Sequence, residues 1–164
     1  MLSSRPLIML LLATLLSACQ AGSPDAANDP LSQARQRWAD QGLEHYHYQA
    51  RQQCYCGPRA LLPANVKVSG QQARLETPDN DELAPLARTV EDWFALIEEK
   101  QRKGWHQVDV DYHPQQGYPR HIRLDFDPRM ADDEQQYWIK DLTPTAATPN
   151  PPGRPTGQAA THPS

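Results

Sequence analysis

Residues 44–57 read "EHYHYQARQQCYCG". Whether this stretch is a strand, a metal site or a redox pair decides how the rest of the chain assembles around it. Its residues alternate with a period of two, the pattern of a strand with one covered face. On that reading Tyr46, Tyr48, Ala50, Cys54 and Cys56 share one face, and His45, His47, Gln49, Arg51 and Tyr55 share the other. A site joining the histidines to the cysteines then requires a turn between them. The two sets project from opposite faces, and His47 stands on the order of 23 Å from Cys54 at about 3.3 Å per residue. The spacing also departs from the usual zinc patterns. His45 and His47 alone remain candidates for a surface copper or nickel site, on imidazole preference only. The simpler alternative is a pair of exposed strand histidines.

Outward from this strand the pattern is that of an α+β domain. Residues 31–41, "LSQARQRWADQ", fit a short amphipathic helix with Leu31, Ala34 and Trp38 on one side and Gly42 beyond its end. "VKVSGQQARLE" reads as a hairpin turning at Ser69-Gly70. "TVEDWFALIEEKQRKG" carries the strongest helix signal: Thr89 as N-cap, Glu91 and Asp92 in the first turn, Val90, Trp93, Phe94 and Ile97 at helical spacing, and Gly104 as the stop. Alternating runs follow at 105–113, 120–126 and 137–142. The expected architecture is a small antiparallel sheet packed on one main amphipathic helix, with disordered tails.

The ends set the compartment. Arg5 precedes the apolar run "PLIMLLLATLL", and the small residues before Cys19 complete a signal-peptide layout too short to span a bilayer. "LSAC", Leu16 to Cys19, resembles the bacterial lipobox. That resemblance implies a lipid (palmitate-type acyl chains) on Cys19 and, with Gln20 following, release to the outer membrane of a Gram-negative cell on its periplasmic side. The division expected is a signal peptide over 1–18, a lipidated N-terminus and flexible spacer over 19–30, one domain over 31–142, and a disordered Pro/Thr-rich tail over 143–164. Loss of Arg5 with the signal leaves 15 basic against 20 acidic residues. Such a balance excludes a basic nucleic-acid footprint and any polybasic lipid-binding patch. Membrane attachment, if it occurs, is acyl-driven.

Several of these pieces occur in a fixed order: Tyr46-x-Tyr48, Cys54-Tyr55-Cys56, Thr89-Val90-Glu91-Asp92 with Phe94 and Ile97, Val-x-Val-x-Tyr112, Gly117-Tyr118-Pro119, Ile122-x-Leu124-Asp125, and Asp132-Asp133-Glu134. Together they resemble a bacterial family of secreted or lipid-anchored proteins known as domain of unknown function 6174. The likeness spans nearly all of residues 31–142 and implies no reaction, ligand or partner. His45 and His47 are this chain's own.

With Cys19 acylated, Cys54 and Cys56 are the remaining thiols, and an oxidising compartment favours their pairing. Strand geometry places i and i+2 Cα atoms roughly 6.6–7 Å apart, at the limit for a disulfide. A bridge therefore needs a pinch, which Gly57-Pro58 makes reasonable. A redox couple and free or intermolecular thiols are the alternatives, the former weakened by the lack of a helix start after Cys56.

The carboxylates of "DFDPRMADDE" at 125–134 fail the calcium-loop template, since Arg129, Met130 and Gln136 fall where acceptors or glycine belong. They read as a strand face followed by an acidic turn. Tyr118, Asp125, Asp132, Asp133 and Glu134 form a possible interaction surface, with Tyr118 weighed also as the turn's own cover. No nucleophile elbow, phosphate-cradling loop or H-E-x-x-H is present in the sequence. The functional expectation is a non-enzymatic binding or envelope-interaction module without a cofactor, its contacts the membrane through the lipid and an envelope protein. The alternative is a periplasmic thiol-redox or metal-handling protein using Cys54, Cys56 and the nearby histidines.

Overall fold

In the computed structural model, which describes residues 29–76, 80–130 and 132–146, the alternating stretch becomes strand β1 (His45–Gln53), with Tyr46, Tyr48, Ala50 and Gln52 facing inward. The hairpin follows as β2 (Ala64–Ser69) and β3 (Gln72–Leu75), joined through Gly70 at φ 59°, a left-handed conformation that suits glycine. The later runs form β4 (Gln107–Tyr112), β5 (Pro119–Asp125) and β6 (Gln135–Pro144). All six lie in one antiparallel sheet of order β3-β2-β1-β6-β5-β4. The pairing of β1 with β6 joins the two halves of the chain, so β1 is interior.

Two helices, not one, cover the inner face. Helix α1 (Pro30–Ala39) begins with a proline at its first turn and an Asp29 cap, whose carboxylate accepts from Ser32 N at 3.0 Å. Helix α2 (Val90–Arg102) begins with the capping box of Thr89 and Asp92. A single hydrophobic cluster takes Leu31, Ala34 and Trp38 from α1 together with Val90, Trp93, Phe94 and Ile97 from α2. The expectation of one main helix is thus corrected. Only three apolar residues mark α1, so its sequence reads as a minor element, but Trp38 gives it weight. Its ring meets Tyr46 edge-on at 5.2 Å, and its Nε1 donates to Glu91 of α2 at 2.7 Å. Gly117 lets the β4–β5 turn lie against α1, since a Cβ there would run into the Ala34 carbonyl.

Strand β1 also fixes where α2 starts. The Val90 amide donates to the Tyr46 hydroxyl at 2.9 Å, and Trp93 Nε1 donates to the Tyr48 hydroxyl at 3.0 Å. Tyr48 in turn donates to the Arg88 carbonyl at 2.6 Å. Alternation on one strand thereby satisfies the helix entry, whose amides would otherwise be buried without partners.

Composition misplaces the domain's end. Thr143 and Pro144, assigned to the tail, belong to β6, opposite His47 and Tyr46. Between the pairs His47↔Thr143 and Gln49↔Lys140, β6 carries one extra residue, and Asp141 takes φ 57° there. This bulge lets Ile139 and Leu142 both point inward. The expected signal peptide, Cys19, the spacer up to residue 28 and the tail from residue 147 lie outside the described residues.

Two predictions test the tyrosine clamp. Tyr48→Phe should lower stability by about 1–3 kcal/mol, because it leaves the Trp93 indole N–H and the Arg88 carbonyl without their partner; a chemical denaturation curve reads this directly. Burial raises the Tyr46 and Tyr48 phenols above their ordinary pKa. The unfolded chain therefore loses these protons first as pH rises past about 10. Stability should be intact below that pH and fall above it, and Tyr46→Phe should make the alkaline fall shallower.

Candidate functional site at the disulfide end of the sheet

The last ladder pair of β1 is Gln53↔Gln136. Beyond it the chain bends, and Cys54 and Cys56 close a disulfide with their Cα atoms 5.2 Å apart. This is shorter than the strand repeat, so the pinch required by the sequence is present, followed by a 3-10 turn over Pro58–Leu61. Because the strand has already ended, the cysteines do not continue its buried face. Cys54 is half-buried, Cys56 is exposed, and Tyr55 between them is 85% exposed.

Behind the bridge lies a cleft of about 440 Å³, lined by Gln52, the disulfide, Glu82, Asp132, Glu134 and Tyr137, among others. Gln52 is the residue that sequence reasoning missed. It is 6% exposed, and its Nε2 donates to the Ala60 and Glu82 carbonyls at 3.1 and 3.2 Å. The signal was available, since it occupies the inward register after Tyr46, Tyr48 and Ala50, where an amide needs a reason.

The acidic segment divides by role. Asp133 accepts from the Asp127 amide at 2.9 Å, and Asp127 binds Arg129 through both of its oxygens. The Arg129 guanidinium holds the Asp127 carboxyl below its ordinary pKa. These residues build the turn. Asp132 and Glu134 reach the cleft instead. Asp125 is half-buried at the end of β5, opposite Gln107. Tyr118 is corrected from a possible contact to a core residue: it is 5% exposed and stacks on His113 at 4.9 Å, so it covers the turn.

His45 and His47 lie at the far end of β1 from the bridge, on the open face of the sheet, where His45 Nδ1 meets Ser69 Oγ at 3.1 Å. Among the described residues no three His, Cys, Asp or Glu side chains converge to hold a metal ion. The same open face carries a row across four strands, Arg51, Trp138, His121 and Asp111. The Arg51 guanidinium lies 4.5 Å from the Trp138 ring centre and the His121 ring stacks on it at 4.8 Å. Arg123 donates to His121 Nδ1 at 2.9 Å, which directs the other ring nitrogen of neutral His121 to donate to Gln136 at 3.0 Å. Both faces of Trp138 are therefore occupied by neighbours, and the row reads as cross-strand bracing of the open face.

The fold and this cleft define an α+β domain with a six-stranded antiparallel sheet, a two-helix layer on one face and a disulfide closing its central strand. The chain belongs to the family of unknown function DUF6174, whose model matches residues 30–144, from the first residue of α1 to the last of β6. No curated protein and no solved structure matches the chain.

So small a closed loop restricts the unfolded chain little, roughly 1.5 kcal/mol by chain-entropy reasoning. Replacing both cysteines by serine should lower the melting temperature by several degrees without loss of fold. Collapse of the melt would instead make the bridge part of the core.

Proposed function

We propose that the protein is a lipid-anchored thiol–disulfide exchange module of the bacterial cell envelope, with Cys54 and Cys56 as its reacting pair. The observation that carries this reading is the position of the bridge: past the last ladder pair of β1, at the mouth of a cleft, with Cys56 open to solvent. A bond placed there opens without disturbing the sheet. A partner thiolate attacks Cys56 Sγ, the S–S bond breaks, and Cys54 leaves with the electron pair and takes up a proton. The partner's second thiol then resolves the mixed disulfide. The net change moves two electrons and two protons from the partner's dithiol to Cys54 and Cys56, and runs in reverse against a partner disulfide.

The layout of residues 1–19 supports export and a lipid on Cys19, hence an outer-membrane location facing the periplasm. No helix among the described residues is long and apolar enough to cross a membrane. Asp29 acts electrostatically on Tyr112, and the Thr145 amide donates to the His45 carbonyl, so both described ends leave the sheet opposite the bridge.

A second reading, a non-enzymatic binding or envelope-interaction module, is favoured by the uncovered sheet face. A depression of about 380 Å³ lies there beside Trp138, with Arg120 and Lys140 on its rim. Equilibration of the oxidised full chain in glutathione buffers, followed by alkylation and intact mass, separates the two. Exchange predicts a reversible two-thiol product, formed faster as pH rises toward the thiol range near about 8.5 while circular dichroism stays native. A bridge that opens only on unfolding contradicts it and leaves the binding reading.

A further inference from the structure

The open face of the sheet divides into two halves of different charge. On β4 and β5 the charges are matched across the ladder: Asp109 faces Arg123 and Asp111 faces His121, with Arg123 3.9 Å from the Asp109 carboxylate and 3.8 Å from that of Asp111. On the four neighbouring strands β3, β2, β1 and β6 the alternating outward positions carry Arg74, Lys67, Arg51 and Lys140, one cation per strand, and no Asp or Glu. Asp141 in the bulge, with Glu44 and Glu76 just outside β1 and β3, borders this half, and among the described residues none of the three forms an ion pair with it. Read along the chain the four cations are scattered, which is why the sequence shows no polybasic run. The register of the sheet gathers them.

Two of these cations are set against each other. Lys67 and Arg74 are direct cross-strand partners, and His47 lies opposite Lys67 on its other side. Like charges facing each other across a ladder are unfavourable, and no ion pair among the described residues relieves this one. Arg51 differs, since its guanidinium rests on the Trp138 ring. A half-face of unmatched cations beside one whose charges are matched is complemented by anions from outside the chain. The array extends about 15 Å across the strands and about 13 Å along β1 from His47 to Arg51, so its complement carries negative charge in two dimensions. None of the exposed large hydrophobics of the described residues lies on these strands, so the contact is electrostatic and made without insertion.

We propose that this basic half of the open face docks on the anionic phospholipid headgroups of a membrane. The proposal goes beyond the exchange reading and rests only on its envelope location. A lipid on Cys19 would keep Asp29 within about 36 Å of the bilayer, the fully extended length of ten residues. At that range a few cations suffice, because tethering raises the effective concentration of headgroups, and each Lys or Arg beside an anionic surface strengthens binding about fivefold. A bilayer offers phosphates in two dimensions, as the array requires, whereas an acidic peptide or glycan strand meets the face along one line. Docked in this way, the sheet lies with its open face on the membrane and the two helices on the side away from it.

The chain's four lysines read the docking directly, since Lys67 and Lys140 are on the open face and Lys100 and Lys103 are on α2, across the sheet. The full chain is mixed at low ionic strength with excess vesicles of phosphatidylcholine, alone or with phosphatidylglycerol, acetylated with an N-hydroxysuccinimide ester, and read by peptide mass. Phosphatidylglycerol should slow acetylation of Lys67 and Lys140 at least about threefold and leave Lys100 and Lys103 unchanged, and salt at about 1 M should abolish the difference. Arg74→Gln, at an exposed position, should raise the phosphatidylglycerol needed for this protection about fivefold without lowering the melting temperature, because it removes the charge facing Lys67. Equal rates on both vesicles, protection of all four lysines alike, or an unchanged lipid requirement in Arg74→Gln overturns the proposal. So does stronger protection by soluble polyglutamate than by the anionic vesicles, which would assign the face to an acidic polymer. An acyl chain on Cys19 or the apolar N-terminal run binds both vesicles alike, so failure here leaves anchoring and disulfide exchange to their own tests.

Discussion

The structure depends on one arrangement: two tyrosine hydroxyls on β1 holding the start of α2. Tyr46 accepts the Val90 amide, and Tyr48 joins the Trp93 indole to the Arg88 carbonyl. Each hydroxyl is buried, so each bond is made where water cannot replace it. The same rings form much of the core, with Tyr46 and Tyr48 stacked at 6.4 Å and Trp38 set against Tyr46. One strand therefore places both helices. From that follow the covered inner face, the open outer face, and the direction in which β1 leaves the sheet.

Where β1 leaves, the constraints relax. Ladder pairing stops at Gln53, and the next residues have neither partner strand nor helix to hold them. The disulfide supplies a local tie in place of a ladder, and it places Tyr55 in solvent while leaving Gln52 under the bridge. Core and cleft separate along this strand: the hydrophobic clamp lies at 46–50, and the residues lining the disulfide-end cleft begin at 52. On the exchange reading proposed above, opening the bridge is a local event, the property an exchange pair requires.

Much of this was legible before any coordinates. Period-two alternation names Tyr46, Tyr48 and Ala50 as buried residues of β1, and the Thr89 cap with apolar spacing defines α2, because both signals are local and repeated. That a bridge between Cys54 and Cys56 needs a pinch follows from strand spacing, and the pinch is present. What was not legible is tertiary. The importance of α1 rests on Trp38 finding both Tyr46 and Glu91, which no periodicity reports. The Asp141 bulge has no glycine to announce it, and it carries β6 past the point where composition turns tail-like. Tyr118 looks like a presented aromatic in a Gly-Tyr-Pro turn, yet stacks inward on His113. At the site, the sequence reading singled out the cysteines, Asp132 and Glu134, all of which line the cleft. Their assembly with Gln52 and Glu82 was not legible, since Glu82 comes from a separate 3-10 segment that reaches the cleft through the fold.

The most direct measurement of this separation is amide hydrogen exchange on the oxidised and the reduced full chain, read residue by residue. The account predicts that reduction raises exchange at residues 54–61 and leaves protection unchanged from Tyr46 to Gln52 and at the Val90 amide that Tyr46 receives. Loss of protection along β1 and at Val90 on reduction would contradict it, because the bridge would then be holding the clamp rather than standing beyond it.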